Sequence, residues 1–269
     1  PTIPEIVSLW LEYCGDKKRF LEEADTLSYT YVPGLSGEKK VYKKWAVDLD
    51  SAYYPVRQFR DLERGHVFGH SFILETSRGC RFWCRFCMEG RIFNPYRARS
   101  FAKLKEYVEA GLEKNAADRV TVYSFSFPSS SAELKLLEYL ADSGVQATLP
   151  SIRMDLVTDD LLELVKRVGQ KTLTLAPETF SARLHTVFGK YKPDFNLLSV
   201  VEKAVEHGFD VKLYIVYGVK GETADDLHST IQALKSVVQR AKRRGVKVSV
   251  SLNPLVPKPW TVFQWIGMS

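Results

Sequence analysis

The sequence predicts an α/β fold built on a parallel sheet, and two observations lead to this class. From about Phe72 onward, short runs rich in Val, Ile, Thr and Tyr alternate with amphipathic segments of about ten residues or more. Strands that alternate with such helices are typical of βαβ units, whose strands are parallel and whose crossovers are right-handed. Six strand runs are countable, and we expect ligands at the carboxyl ends of these strands.

The predicted strands are apolar runs bounded by polar residues or glycine. They cover residues 71–75, 119–125, 145–151, 171–176, 210–218 and 246–252. The predicted helices lie between them, over residues 101–114, 131–143, 158–168, 195–207 and 224–243. End signals support two of these helices: Gly144 closes one, while Thr158 opens another that ends in basic residues before Gly169.

The first 70 residues have a different pattern and are predicted to form a connector, separate from a core over residues 71–269. Residues 3–15 match one amphipathic helix, in which Cys14 is expected to be a buried or half-buried thiol. Residues 29–55, rich in Tyr, Gly and Lys, predict loops and a hairpin. Because the chain begins at Pro1 without a methionine, we expect a further domain upstream.

The composition excludes several classes of protein. Hydrophobic residues make up 45% and charged residues 26%, as in an ordinary globular domain. The longest apolar runs, such as LYIVYGV from Leu213, are too short to span a bilayer, so no membrane insertion is expected. No secretory leader opens the chain, and three of its four cysteines are clustered. We therefore expect a cytoplasmic location and no disulfide scaffold.

The net charge of +6 favours an anionic partner. Basic residues concentrate in residues 235–247. Cations that match the dipole of a helix C-terminus are one interpretation of this segment, and an RNA-binding surface is the other.

Three cysteines lie in the stretch ETSRGCRFWCRFCMEG, at positions 80, 84 and 87. Spacings of four and three would also place them on one helix face as small core residues. A loop is favoured instead, because Gly79 precedes Cys80, the first strand ends just before, and no polar helical face lies between the cysteines. Aromatic residues at 82, 83, 86 and 93 would then shield a metal centre.

Two kinds of metal centre are compatible with this loop. Zinc would need a fourth ligand, which His66 or His70 could supply. Thiolates also hold 4Fe–4S clusters, and three of them would leave one iron without a protein ligand. Arg81 and Arg85 would offset the negative charge of the thiolates and sulfides.

The motif Cys80-x3-Cys84-x2-Cys87, with aromatic Phe86 before its last cysteine, resembles that of the radical S-adenosylmethionine (SAM) superfamily. The resemblance extends over residues 71–260 and implies a partial (β/α)6 TIM-like barrel of the radical SAM type. It implies that the three cysteines hold a 4Fe–4S cluster whose open iron binds SAM. A reductant such as ferredoxin or flavodoxin would supply the electron that cleaves SAM to a 5'-deoxyadenosyl radical. That radical would abstract hydrogen or support methyl or methylthio transfer.

The resemblance also assigns residues at the strand ends to SAM. Ser126, in SFSFPSSS, is implied near the amino group, with a turn or cap serine as the alternative because a Gly-Gly-Glu version is absent. Ser151 and Arg153 alternate with Ile152 and could both face the barrel interior, while a rim ion pair is the alternative for Arg153. The remaining implied contacts are Glu178 to the ribose, Lys190 or Arg183 to the carboxylate, and Gly218 to the adenine.

The proline-containing residues 253–265 resemble the tail of radical SAM cores that follow a cobalamin domain, and methylthiotransferases share this core layout. Cobalamin would bind through a domain outside this chain, because no His-containing cobalamin motif lies within it. A transferase with an unidentified substrate is the expected enzyme class. Two other functions stay open: a zinc-stabilised nucleic-acid-binding module that uses the basic segment, and a degenerate barrel that serves as an interaction platform.

Overall fold

The computed structural model describes residues 2–59 and 69–268, which form two compact units. One unit runs up to Tyr54 and the other starts at Pro55. This division precedes the predicted boundary at residue 70 because Gln58 is already tied to the second unit. Its side chain accepts from Ile73 N at 3.0 Å, and its backbone N donates to Asn115 Oδ1 at 2.9 Å. A connector role for the first unit stays a prediction.

The first unit contains two helices, α1 (Thr2–Glu12) and α2 (Lys17–Thr26). Asp16 caps α2 by accepting from Arg19 N, and helix α2 was not predicted. Residues 27–59 contain no strand, so the predicted hairpin is wrong. Cys14 follows the end of α1 and is exposed, so its predicted burial in a helix is also wrong.

The second unit alternates strands with helices over its whole length. Its strands are β1 (Ser71–Glu75), β2 (Ser77–Arg78), β3 (Arg97–Ala98), β4 (Arg119–Tyr123), β5 (Gln146–Thr148), β6 (Thr172–Glu178), β7 (Asp210–Tyr217) and β8 (Val248–Pro254). Its helices are α3 (Glu89–Ile92), α4 (Phe101–Lys114), α5 (Ser131–Asp142), α6 (Asp159–Arg167), α7 (Ala182–Phe188), α8 (Leu197–Glu206) and α9 (Ala224–Arg244), with a 3₁₀ turn at Met154–Leu156.

Six of these strands are parallel and lie side by side in chain order. Strands β1, β4 and β5 form one sheet, and β6, β7 and β8 form another. Ile152 joins the two sheets, because it bridges Phe127 on one side and Leu175 on the other. In the described part of the chain β8 does not pair with β1. The result is the open, partial (β/α)6 barrel that the sequence predicts.

The helices cover the strands closely, as the contact between α4 and β1 shows. Phe72 is fully buried, and Gly111 of α4 lies directly over its ring. A Cβ atom at position 111 would come within 2.5 Å of that ring, so a glycine is needed for this approach. Burying a phenylalanine side chain contributes about 1.5–3 kcal/mol, so this packing fixes α4 on the sheet.

Two short features of the second unit are absent from the predicted elements. Helix α7 has seven residues and lies after the fourth predicted strand, where the sequence patterns define no helix bounds. Strands β2 and β3 pair antiparallel over two residues each, with the cysteine loop between them. No described helix is both long and apolar enough to cross a membrane.

Candidate active site

The cysteine loop, residues 79–88, follows β2 at the carboxyl end of the first barrel strand. Gly79 starts it with a φ of 81°, in the left-handed region that favours glycine. A Cβ atom there would lie 2.6 Å from the backbone oxygen of Phe93 and 2.8 Å from that of Pro95. The chain therefore needs glycine before Cys80 for both conformation and space.

Backbone hydrogen bonds and an aromatic contact hold the loop against two distant segments. Arg85 N donates to Phe188 O at the end of α7, at 3.0 Å, and Val262 N donates to Arg85 O at 3.1 Å. Phe86 packs edge-to-face on Phe188 with 5.3 Å between ring centroids. It joins a hydrophobic cluster that contains Phe263. The C-terminal segment and α7 thus fix the position of the cysteines.

The three cysteines line one cavity of about 140 Å³ at the carboxyl ends of the barrel strands. Six of the eight other predicted site residues line the same cavity: Phe86, Ser126, Ser151, Arg153, Glu178 and Lys190. The other lining residues are Phe82, Phe125, Ile152 and Ala176. The fold therefore brings residues from the ends of β4, β5 and β6, together with Lys190, to the thiols, and their individual roles stay predictions.

The zinc alternative needs a fourth ligand beside the three thiols. Among the described residues, no three His, Cys, Asp or Glu side chains surround one ion position. Of the histidines considered for zinc, His66 lies outside the described residues and His70 is exposed before β1.

Burial favours the neutral form of two of these thiols, Cys84 and Cys87. It raises the pKa of Cys84 despite the nearby cations Lys190 and Arg153, and it raises the pKa of Cys87 to about 11. Metal ligation deprotonates a thiol, so the resulting thiolates would gain from the two cations. Arg153 Nη1 already lies 3.8 Å from Cys84 Sγ as a donor.

A buried carboxylate, Glu133, organises the serine-rich loop after β4. Glu133 is fully buried and accepts from Thr76 Oγ1 at 2.6 Å, Ser77 Oγ at 3.1 Å and Ser129 N at 2.7 Å. Ser126 Oγ donates to Ser129 Oγ at 3.3 Å. The network therefore ties the start of the cysteine segment to the loop that presents Ser126.

Arg81 extends this network from the cysteine loop. Its Nη1 donates to Ser129 O at 2.7 Å, and its guanidinium lies over the Tyr96 ring. Arg85 donates to Thr186 O at 3.2 Å. That Arg81 and Arg85 compensate the charge of a cluster stays a prediction. The arginine that contacts a thiol sulfur is Arg153.

Glu178 and Lys190 form an ion pair that lines the same cavity. Lys190 Nζ is 2.7 Å from Glu178 Oε1 and also donates to Ala176 O at 2.7 Å. Burial disfavours the charged lysine, but Glu178, Tyr191 and Cys84 together outweigh this effect and raise the pKa of Lys190. Glu178 has a φ of 65° at a register shift of β6, a strained conformation for a non-glycine residue. Such strain concentrates at functional sites.

Two predicted site residues do not line this cavity. Arg183 forms an ion pair with Asp226 and donates to Gly221 O at 2.8 Å, so the structure gives this cation a different partner. Gly218 follows β7 with a φ of 78°, and its N–H donates to Glu222 Oε2 at 2.7 Å. Of the two competing cations, Lys190 is the one at the thiols.

The proposed aromatic shield is only half correct. Phe82 and Phe86 line the cavity, whereas Trp83 and Phe93 do not. Phe125, which sequence reasoning did not single out, contributes a wall instead. Glu133 was also missed, because a glutamate near a helix start gives no sequence signal of burial.

An open (β/α)6 barrel with three thiols at its carboxyl-end cavity is the arrangement that the cysteine motif implies. A family model described as the Radical SAM superfamily matches residues 74–234, and the chain belongs to this superfamily. The uncharacterized protein MJ0966 of Methanocaldococcus jannaschii is 34% identical over 228 residues, which are 84% of this chain and 48% of that protein. The chain thus spans about half the length of this curated relative.

Solved structures share the fold at low identity. The radical SAM methyltransferase TsrM from Kitasatospora setae, solved with cobalamin and a [4Fe-4S] cluster, matches with a TM-score of 0.59 and 15% identity, over 72% of this chain and 36% of its own. SuiB from Streptococcus suis, solved with S-adenosylmethionine, matches with a TM-score of 0.51 and 14% identity, over 72% and 43% of the two chains.

Proposed function

We propose that Cys80, Cys84 and Cys87 hold a 4Fe–4S cluster and that the adjoining cavity binds SAM at its open iron. When bound, the cluster and SAM supply one-electron chemistry that generates an organic radical from SAM. The observation that carries this proposal is the convergence of all three thiols on one cavity that Lys190 and Arg153 also line. An anionic cluster and the carboxylate of SAM both suit a wall with two buried cations.

The residues of the cavity divide into two groups in this proposal. Lys190, held by Glu178 and by Ala176 O, presents an ammonium for the SAM carboxylate. Ser126 and Ser151 offer hydroxyls to its polar groups. Phe82, Phe86 and Phe125 exclude water from the cluster side, which strengthens every charge interaction in the cavity.

We further infer that the reaction is a group transfer of the cobalamin-associated or methylthiotransferase-like type, in the cytoplasm, with electrons from ferredoxin or flavodoxin. Support for this branch comes from the methyltransferase TsrM, which shares the fold and was solved with cobalamin. Cobalamin would come from a domain outside this chain. RNA and small molecules both stay open as substrates.

The test is anaerobic reconstitution with iron and sulfide, followed by incubation with SAM and dithionite and chromatography for 5'-deoxyadenosine. Wild type and Cys14→Ala, whose cysteine is exposed in the first unit, should both form the product. Cys84→Ala should form none. Product from Cys84→Ala at the wild-type rate would overturn the proposal, and so would one bound zinc with no sulfide in the wild type.

A further inference from the structure

Arg153 contacts both Cys84 of the cysteine loop and the backbone of Lys190. It follows Ile152, the residue that joins the two sheets, and its side chain is only 8% exposed. Both neighbours of Ile152 line the cavity, but Ser151 is exposed to solvent whereas Arg153 is turned inward against protein groups. Its guanidinium is therefore fixed by its surroundings and little screened by water.

Each nitrogen of this guanidinium already lies beside a protein partner. Nη1 is 3.8 Å from Cys84 Sγ and Nη2 donates to Lys190 O. Nε forms an ion pair with Asp155 Oδ1 at 2.7 Å, but the two groups are not aligned for a hydrogen bond. Aromatic rings hold the plane in place, since Cζ lies 3.6 Å from the Phe82 centroid and 4.8 Å from that of Tyr191.

We propose that Arg153 is a positioning residue that acts on the cluster through Cys84 and is not a ligand of SAM. This inference rests on the proposed function, because it needs a cluster on the three thiols. A charged N–H donor at a ligand sulfur stabilises the more negative, reduced cluster, and hydrogen bonds to sulfur set cluster potentials. One electron passes from an external reductant to the cluster, and no bond to Arg153 forms or breaks and no proton moves.

The fork shape of arginine explains why this residue type is needed. One flat group bridges a sulfur, a backbone oxygen and a carboxylate while it stacks on Phe82. A lysine ammonium would carry the same charge but could not make all these contacts from one fixed plane. Lys190, whose ammonium is held by Glu178, is left as the cation for SAM.

The experiment is a redox titration of the reconstituted protein, followed by EPR of the reduced cluster, for wild type, Arg153→Gln and Arg153→Lys. At a fixed potential, Arg153→Gln should lower the ratio of reduced to oxidised cluster at least tenfold. A tenfold change corresponds to a midpoint potential about 59 mV more negative. Arg153→Lys should give a smaller shift in the same direction. SAM affinity, measured by calorimetry on the same samples, should change less than twofold.

Arg167→Gln is the control, since it removes an equal charge from a side chain that pairs with Asp142 and does not line the cavity. In this control variant the ratio of reduced to oxidised cluster at the same fixed potential should change less than threefold. Unchanged potentials in both Arg153 variants, or a large loss of SAM affinity with an unchanged potential, would overturn the inference. If Arg153→Gln binds no iron, Arg153→Lys alone decides by the same criteria. A wild type that binds no cluster would refute the proposed function instead.

Discussion

At the scale of single residues, Lys190 is the one of the two cations implied for the SAM carboxylate that lines the cavity of the thiols. Lys190→Met should weaken SAM binding at least tenfold, because it removes the ammonium that faces the cavity and leaves Glu178 buried without its partner. This factor corresponds to about 1.4 kcal/mol. Calorimetry with SAM on the reconstituted variant measures it, with iron content as the check that the cluster is retained.

Arg183→Gln is the control for this prediction, because Arg183 pairs with Asp226 outside the cavity. Its SAM affinity should stay within twofold of wild type. Equal losses in the Lys190 and Arg183 variants would show that neither cation acts at the cavity in the way proposed.

Sequence reasoning could not choose between these two cations, and the reason lies in α7. Both residues follow β6, and either can reach a carboxylate from a loop. Helix α7 starts at Ala182 and ends at Phe188, and the next residue, Gly189, reverses the chain with a φ of 58°. Arg183 therefore lies in the first turn, beside Asp226, while Lys190 follows the reversal. A seven-residue helix has too short a pattern to be predicted with its exact ends.

At the scale of elements, the cysteine loop depends on the tight turn at Gly79. Gly79→Ala should lower iron content after reconstitution by more than half, because its Cβ would collide with two backbone oxygens as well as strain the left-handed φ. Gly144→Ala is the matched control, with a φ of 67° but no atom within 4 Å of the added Cβ. It should cost about 1–2 kcal/mol of stability and keep a full iron content.

A full iron content in Gly79→Ala would show that the loop has more freedom than these contacts imply. Iron and acid-labile sulfide per chain measure the effect. Loss of iron in both variants would instead attribute the defect to general strain.

The serine-rich loop depends on Glu133 in the same way. Glu133→Ala leaves the donors Thr76, Ser77 and Ser129 without an acceptor in a buried place, so the free energy of unfolding should fall by about 3 kcal/mol. Glu133→Gln keeps one acceptor oxygen and should lose less. Urea unfolding under anaerobic conditions measures both, and equal stability of Glu133→Ala and wild type would contradict the role given to this network.

The regular elements were more predictable than this network. Helix α4 has the predicted ends, and each of the six barrel strands overlaps one of the six predicted apolar runs. The motif also predicts which thiols converge, because its spacing fits one short loop. The contacts of Glu133 and Arg153 come from residues more than fifty positions away from their partners Thr76 and Cys84. Local patterns carry no information on such pairs.

At the scale of the whole second unit, Asp226 joins the starts of α7 and α9. It accepts from Ser181 Oγ, which caps α7, and from Thr223, which caps α9, and it pairs with Arg183. The Arg183 contact and these hydrogen bonds hold the pKa of Asp226 well below its ordinary value. A lowered pKa in the folded state stabilises the protein above the unfolded pKa of about 3.9.

This contribution should disappear as the pH falls below about 4 toward the lower pKa of the folded state. Asp226→Asn should therefore lower stability at pH 7 and flatten the dependence of the unfolding free energy on pH below 4. Chemical unfolding between pH 3 and pH 7 measures this. A variant with the same slope as wild type would place the acid sensitivity in other groups.

The central claim, that three thiols hold one cluster with an open iron, is tested most directly by iron and sulfide analysis with EPR on the anaerobically reconstituted protein. We predict about four irons and four sulfides per chain, and a reduced-cluster spectrum that changes when SAM is added. Alanine at position 80, 84 or 87 should each abolish the signal, while Cys14→Ala should keep it. A wild-type level of iron in any of the three variants, or a spectrum that SAM leaves unchanged, would contradict the claim.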